Sequence, residues 1–132
     1  MTKIQKILLV EDQEDDQYLA KRNIARRWPD AQILSAFDGQ EAIEVLEANK
    51  DCLPDLILLD MNMPRMNGLE FLDAWSKLHK LSVPVVVMLT SSDQRTDKEH
   101  AQQYCCVRDY IVKPLNKAAV QQIGEMLDDE AA

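Results

Sequence analysis

No apolar run in these 132 residues approaches the roughly 20 needed to span a bilayer. The opening stretch, Met1-Thr2-Lys3-Ile4-Gln5-Lys6, lacks the layout of a signal peptide, because the short apolar run after it leads straight into Glu11-Asp12. Cysteine is scarce, and the three present show no C-x-x-C spacing. A disulfide framework is therefore not expected, and a reducing cytosol is. Basic residues are outnumbered, with Lys and Arg at 15 against Asp and Glu at 23, a formal net charge of -8. That balance disfavours non-specific binding to DNA, RNA or anionic lipid. No linker, low-complexity segment or long repeat interrupts the chain, and its length fits a single domain. With 46% hydrophobic and 29% charged residues, the balance is that of an ordinary globular protein.

What is present is an alternation of short apolar runs with amphipathic stretches. Lys6-Ile7-Leu8-Leu9-Val10 reads as a buried strand. Asp15 to Trp28 reads as a helix, with Asp15-Asp16 at its start and Arg26-Arg27 near its end, as the helix dipole prefers. Ala20, Ile24 and Trp28 fall on one face of it. A second strand is expected over Gln32 to Ala36. Asp38-Gly39-Gln40-Glu41 has the form of a capping box that opens a helix through Ala42, Ile43 and Leu46. Leu56 to Leu59 reads as a third strand, Leu69 to Lys77 as a third helix, and Val85 to Leu89 as a fourth strand led in by Val83-Pro84. Thr96-Asp97-Lys98-Glu99 opens a further helix, Tyr110 to Val112 forms a fifth strand, and Asn116 caps a last helix to about Leu127. The acidic Asp128 to Ala132 tail is expected to fray.

Strands alternating with helices imply an α/β fold: a doubly wound parallel sheet with helices on both faces. In such sheets chemistry gathers at the carboxyl ends of the strands. The residues expected just after the strands are Glu11 and Asp12, then Asp60, then Thr90, then Lys113. Three carboxylates on one rim repel one another, and a hard divalent cation relieves the repulsion. Two or three carboxylates, with water completing an octahedron, suit Mg²⁺. Lys113 adds a positive charge and Thr90 a hydroxyl donor. A cation, a lysine and a hydroxyl around a carboxylate are the parts needed to transfer a phosphoryl group onto it.

The segments Val10-Glu11-Asp12, Leu59-Asp60-Met61-Asn62-Met63-Pro64 with Asn67-Gly68, Leu89-Thr90-Ser91-Ser92 and Tyr110-Ile111-Val112-Lys113-Pro114 closely resemble the receiver domains of bacterial two-component response regulators. Each motif is weak alone, but four in order are specific, and the resemblance spans about residues 5 to 127. It implies one receiver domain over 1–132 with a flavodoxin-like five-stranded sheet in the order 2-1-3-4-5. It implies Asp60 as the acceptor of phosphate from the phosphohistidine of a sensor kinase or phosphotransfer protein. Asp12, Asp60 and the backbone carbonyl of Asn62 would hold Mg²⁺, and Glu11 would act through a bound water. Lys113 would hold Asp60 and then the phosphoryl group. Thr90 is similar to the switch hydroxyl and Tyr110 to the aromatic that turns inward with it. Asn62 and Ser92 match positions that tune phosphate lifetime, and the Lys113-Pro114 bond is expected to be cis. The stretch Thr90-Ser91-Ser92-Asp93 somewhat resembles single-domain regulators paired with bacterial phytochrome kinases. One departure is the run Tyr104-Cys105-Cys106-Val107-Arg108, where the family usually carries Gly-Ala; this bears on the output face and leaves the acidic site untouched.

Simpler readings stand beside these. Glu11, Asp12 and Asp60 could be solvated loop acids, Thr90 a strand end, Lys113 surface charge, Tyr110 a core aromatic, and Cys105-Cys106 small packing residues. Asp15-Asp16 reads as helix capping, His79 and His100 as surface residues, and Trp28, Phe71 and Trp75 as core or partial core. A flavodoxin-like electron carrier would need a Gly- and hydroxyl-rich loop after strand one, where Glu11-Asp12-Gln13-Glu14 stands. An aspartate-based phosphohydrolase usually carries a second acid two residues after its nucleophile, where Asn62 stands. A third rival is a docking module that is never phosphorylated. The expected protein is a cytoplasmic signalling phosphoacceptor with no substrate beyond its own phosphorylation and dephosphorylation. Its output would run through protein contacts, with a homodimer on the face of the Thr96 helix, strand five and the last helix, and with no direct nucleic-acid or membrane contact.

Overall fold

The structure is a computed structural model in which residues 4–61, 63, 66–78, 85–90 and 107–131 are described. Five strands, β1 (Lys6–Val10), β2 (Gln32–Ala36), β3 (Leu56–Asp60), β4 (Val85–Thr90) and β5 (Val107–Val112), form one sheet in the order β2-β1-β3-β4-β5. Every neighbouring pair is parallel. The described helices are α1 (Glu14–Arg27), α2 (Gly39–Ala48), α3 (Gly68–Leu78) and α4 (Lys117–Ala131). None is long and apolar enough to cross a membrane.

The central strands β1, β3 and β4 are apolar on both faces because helices cover both. Alternate side chains point to opposite sides of a strand, and this divides the interior into two cores. Leu8, Val10, Ile57, Leu59, Val86 and Met88 pack against Ala42, Ile43 and Leu46 of α2 and Phe71, Leu72 and Trp75 of α3. Ile7, Leu9, Leu56, Leu58, Val87 and Leu89 pack against Ala20 and Ile24 of α1 and Ala119, Val120, Ile123 and Leu127 of α4. As expected, Phe71 and Trp75 are buried in the core and Trp28 is partial core, half-buried against the α1–α4 cluster with the Arg27 guanidinium over its ring at 5.2 Å.

The helix starts follow local chemistry. The Asp38 side chain accepts from Glu41 N at 2.8 Å, and Asn116 Oδ1 accepts from Ala119 N at 2.8 Å, as expected. A second capping box went unread in the sequence: Asn67 Oδ1 accepts from Glu70 N at 2.9 Å, and Glu70 Oε1 accepts from Asn67 N at 3.0 Å. At α1 the N-cap is Gln13, without a side-chain cap bond. Asp15 and Asp16 thus lie in the first turn, where they oppose the positive end of the dipole without capping it.

Several boundaries differ from the sequence reading. Asp60 and Thr90 are the last residues of β3 and β4 and do not follow them, because both pair in the ladder, Asp60 with Leu89 and Thr90 with Val112. β5 begins at Val107, three residues before Tyr110. Its first part, Val107-Arg108-Asp109, is polar and half-exposed at a sheet edge and carries a register irregularity between Val86 and Val87, so no apolar run marks it. α4 continues to Ala131 where fraying was expected. Residues 128–131 include no glycine or proline to break the helical backbone. The expected Thr96 helix, Ser92, Cys105, Cys106, His79 and His100 lie outside the described residues.

Candidate functional site at the carboxyl rim of the sheet

The carboxyl ends of β1, β3, β4 and β5 converge on one rim. Glu11 follows β1 and is tied to the end of β2, its N–H donating to Ala36 O at 3.0 Å. Across the rim, Met61 N donates to Leu89 O at 2.9 Å and Lys113 N to Thr90 O at 2.7 Å. These backbone bonds hold the chain in place as it leaves each strand.

The side chains the sequence singled out meet here. Carboxylate oxygens of Glu11, Asp12 and Asp60 lie within 4.8 Å of one another. Asp60 is fully buried, Glu11 is 2% exposed and Asp12 is partly exposed. Lys113 Nζ donates to Asp60 Oδ2 at 2.8 Å and to both Glu11 oxygens, at 2.9 and 3.0 Å. Lys113 thus bridges two buried acids, where the sequence reading gave it Asp60 alone. Asp12 accepts from Gln13 Nε2 at 3.2 Å. Thr90 is buried beside this group at the end of β4, and the Lys113-Pro114 bond is cis. Tyr110 is half-buried against the core shared with α2 and α3. Asn62 and Ser92 lie outside the described residues.

The electrostatics follow from this crowding. Burial, together with the hydrogen-bonded Asp60 carboxyl, pushes Glu11 well above the usual carboxylate range, against the opposing pull of Lys113. Burial works against the charge on Lys113, but its bonds to Asp60 and Glu11 outweigh that and raise it above its ordinary value. Burial and the charge of Asp109 raise Tyr110. Two buried acids share one lysine, and a third acid stands alongside, so the group carries more negative charge than its ammonium neutralises. Its donors are all oxygen, the set that hard divalent cations prefer over softer metals.

Two further side chains bear on the rim and were not read from the sequence. Asp16, in the first turn of α1, stands near Glu11 and adds to its upward shift. Gln17 Nε2 donates to the carbonyls of Leu9, Glu11 and Ala36. Gln17 could have been noticed as a polar residue in the apolar stripe that continues at Ala20 and Ile24.

Met66 is packed tightly against the start of α2. Gly39 N donates to Met66 O at 2.9 Å, and Met66 adopts φ 55, a left-handed conformation uncommon for a side-chain-bearing residue. A Cβ at Gly39 would stand 2.2 Å from that same oxygen. Gly39→Ala would ordinarily gain up to about 1 kcal/mol of helix propensity. Here it is expected to lower stability by about 1–3 kcal/mol, because a backbone carbonyl must move to admit the methyl group. Urea unfolding of the two proteins measures the difference, and an unchanged midpoint would show that the contact yields freely.

Comparison with known proteins agrees with this geometry. Residues 7–124 match the family model of the response regulator receiver domain. The chain is 35% identical over 115 residues to the alkaline phosphatase synthesis transcriptional regulatory protein PhoP of Bacillus subtilis, across 87% of this chain and 45% of that protein. It therefore spans less than half the length of that relative. Among solved structures, a two-component response regulator from Cytophaga hutchinsonii superposes with a TM-score of 0.82 at 28% identity, covering 96% of this chain and 99% of the other. The phosphorylated cyanobacterial phytochrome response regulator RcpA superposes with a TM-score of 0.76 at 32% identity, covering 96% and 92%. The strand order, the acid group at the rim and a family match running through nearly the whole sheet agree, and this chain belongs to the response regulator receiver domains of two-component systems.

Proposed function

We propose that the domain accepts a phosphoryl group on Asp60 from the phosphohistidine of a sensor kinase or phosphotransfer protein. The observation that carries the reading is the bond of Lys113 Nζ to Asp60 Oδ2 at 2.8 Å within an acid group whose oxygens lie within 4.8 Å of one another. Asp12 and Asp60 would hold Mg²⁺, with the Asn62 carbonyl that the family resemblance adds and Glu11 acting through a bound water, and the ion would supply charge neutralisation for the phosphoryl oxygens.

In the transfer, a carboxylate oxygen of Asp60 forms a bond to phosphorus while the phosphorus–nitrogen bond to the donor imidazole breaks. The electron pair leaves on that ring nitrogen, which ends protonated from solvent. Lys113 offers its ammonium to Asp60 before transfer and to a phosphoryl oxygen after it, and Thr90 offers its hydroxyl to another. Burial of Asp60 keeps the nucleophile oriented. The same residues carry the reverse loss of phosphate to water, with Asn62 and Ser92 tuning its rate. The chain modifies itself and turns over no other substrate.

Residues 1–132 act as one receiver domain in the cytoplasm, with a core of about 5–127. Output passes through protein contacts, including a homodimer on the β5–α4 side, and the net charge of -8 argues against direct nucleic-acid binding. The likeness to RcpA supports a phytochrome-type kinase as donor.

The test is chemical. Wild-type protein treated with acetyl phosphate and Mg²⁺ is expected to gain one base-labile phosphate, trapped by borohydride at residue 60, and to gain none in EDTA. Label on a serine, threonine or histidine, or equal label in EDTA, would refute the assignment.

A further inference from the structure

The face of α1 that meets the sheet is apolar at Ala20 and Ile24, yet one turn earlier it carries Gln17, which is 3% exposed. Positions i, i+3 and i+7 share a helix face, so an apolar side chain is the ordinary occupant here. Instead, Gln17 Nε2 donates to three backbone carbonyls, Ala36 at 3.0 Å, Glu11 at 3.2 Å and Leu9 at 3.3 Å. All three lie at the carboxyl ends of β1 and β2, where Glu11 N also donates to Ala36 O. An amide nitrogen has two hydrogens, so the three carbonyls share them. Turning the amide over would set Oε1 against three carbonyl oxygens, so the network itself selects the orientation. In that orientation Oε1 is buried without a hydrogen-bond partner among the described residues. A buried acceptor left in this state costs stability, and an apolar side chain of equal length would avoid the cost. Packing alone does not account for a glutamine at this position.

We propose that Gln17 is a positioning residue of the rim, tying the Leu9, Glu11 and Ala36 carbonyls together so that Glu11 and Asp12 stand where the acid group can bind a divalent cation. The inference rests on reading Glu11, Asp12 and Asp60 as the Mg²⁺ site. Its physical basis is that β1 ends at Val10, so Glu11 and Asp12 lie beyond the last ladder pair, Val10 with Ala36. Strand pairing therefore holds Glu11 by the single backbone bond to Ala36 O, whereas Asp60 is a full ladder partner of Leu89. The Gln17 amide reinforces that last bond with a side-chain clamp on the backbone of Glu11. It touches neither the cation nor the phosphoryl group. Groups of this kind act by orienting the residues that do the binding, and losing one typically weakens metal binding by about 10- to 100-fold.

Gln17→Met keeps the length and much of the volume of the side chain and removes its donor. Calorimetric titration with MgCl₂ is expected to show affinity about tenfold weaker than wild type. A cavity control on the same helix face, Ile24→Ala, is expected to lower the melting temperature in EDTA while leaving Mg²⁺ affinity unchanged. Should Gln17→Met fail to fold, Gln17→Asn gives the same comparison, since its amide is one methylene too short to reach the three carbonyls. Wild-type affinity in the Gln17 variant overturns the inference while leaving the reading of the metal site intact. An equal loss in Ile24→Ala also overturns it, since the effect would then be general loosening of α1. Absence of Mg²⁺ binding by the wild type overturns the site reading and this inference with it.

Discussion

Asp60→Asn is expected to lose phosphate acceptance altogether and, in EDTA, to be more stable than the wild type. Both outcomes follow from one carboxylate. Asp60 is fully buried, bonded to Lys113 at 2.8 Å, with oxygens of Glu11 and Asp12 within 4.8 Å. At an effective dielectric near 20, the lysine contact is worth about 6 kcal/mol and repulsion by an ionised neighbouring acid about 3 kcal/mol or more. Glu11 escapes its share only by keeping a proton well above the usual carboxylate range, itself a cost at neutral pH, and desolvation of a buried carboxylate adds to the balance against Asp60. The asparagine keeps the shape and leaves Lys113 to Glu11. A gain of about 1–2 kcal/mol is expected, seen as a rise in melting temperature of a few degrees. Mg²⁺ should reverse the ranking: at a hundred times its dissociation constant it stabilises the wild type by about 2.7 kcal/mol, and it should do little for the variant. A variant less stable than the wild type in EDTA would mean that the acids are not in conflict. Phosphate uptake by the variant would mean that Asp60 is not the acceptor.

Lys113→Met is expected to act in the opposite sense on stability. The side chain is 19% exposed and bonds Glu11, 2% exposed, and Asp60, fully buried. Removing one partner of a buried ion pair typically costs about 3–5 kcal/mol, because a charge is left behind without compensation. Partial access of solvent to Lys113 reduces this to about 2–3 kcal/mol. The loss should shrink in Mg²⁺, since a divalent cation neutralises the same two acids. Phosphorylation by acetyl phosphate should slow by about two to three orders of magnitude, the usual effect of removing one group that stabilises transition-state charge. Equal stability of variant and wild type in EDTA would show that the acids do not depend on the lysine. An unchanged rate would remove Lys113 from the chemistry.

Much of the framework was legible in the residues. β1 and β2 were read with their observed ends, because Lys6–Val10 and Gln32–Ala36 are short, apolar-rich and bounded by charged or turn residues. The caps at Asp38 and Asn116 were legible because capping is local chemistry, settled within three residues of the helix start. The rim residues Glu11, Asp12, Asp60, Thr90 and Lys113 were legible for a topological reason: in a parallel doubly wound sheet every strand delivers its carboxyl end to the same side. What escaped was set at sheet edges and helix ends. The first half of β5 is polar, and only pairing with β4 makes it a strand. α4 runs on beyond Leu127 to Ala131.

By itself the sequence determined the α/β alternation, the apolar runs of the central strands, the helix starts at Asp38 and Asn116 and the list of groups with chemistry to offer. These follow from propensity, period and spacing, which operate over a few residues. Tertiary structure decided which of those groups touch. Lys113 bridges Glu11 as well as Asp60 across 102 and 53 residues of chain. Gly39 admits Met66 O because α2 and the loop after Asp60 close on each other. Gln17 reaches three carbonyls because α1 packs over the ends of β1 and β2. Distances of this kind depend on how whole elements pack, and a change of an ångström separates a hydrogen bond from no bond. No local pattern encodes that ångström, because it is the sum of many side-chain contacts in two close-packed cores.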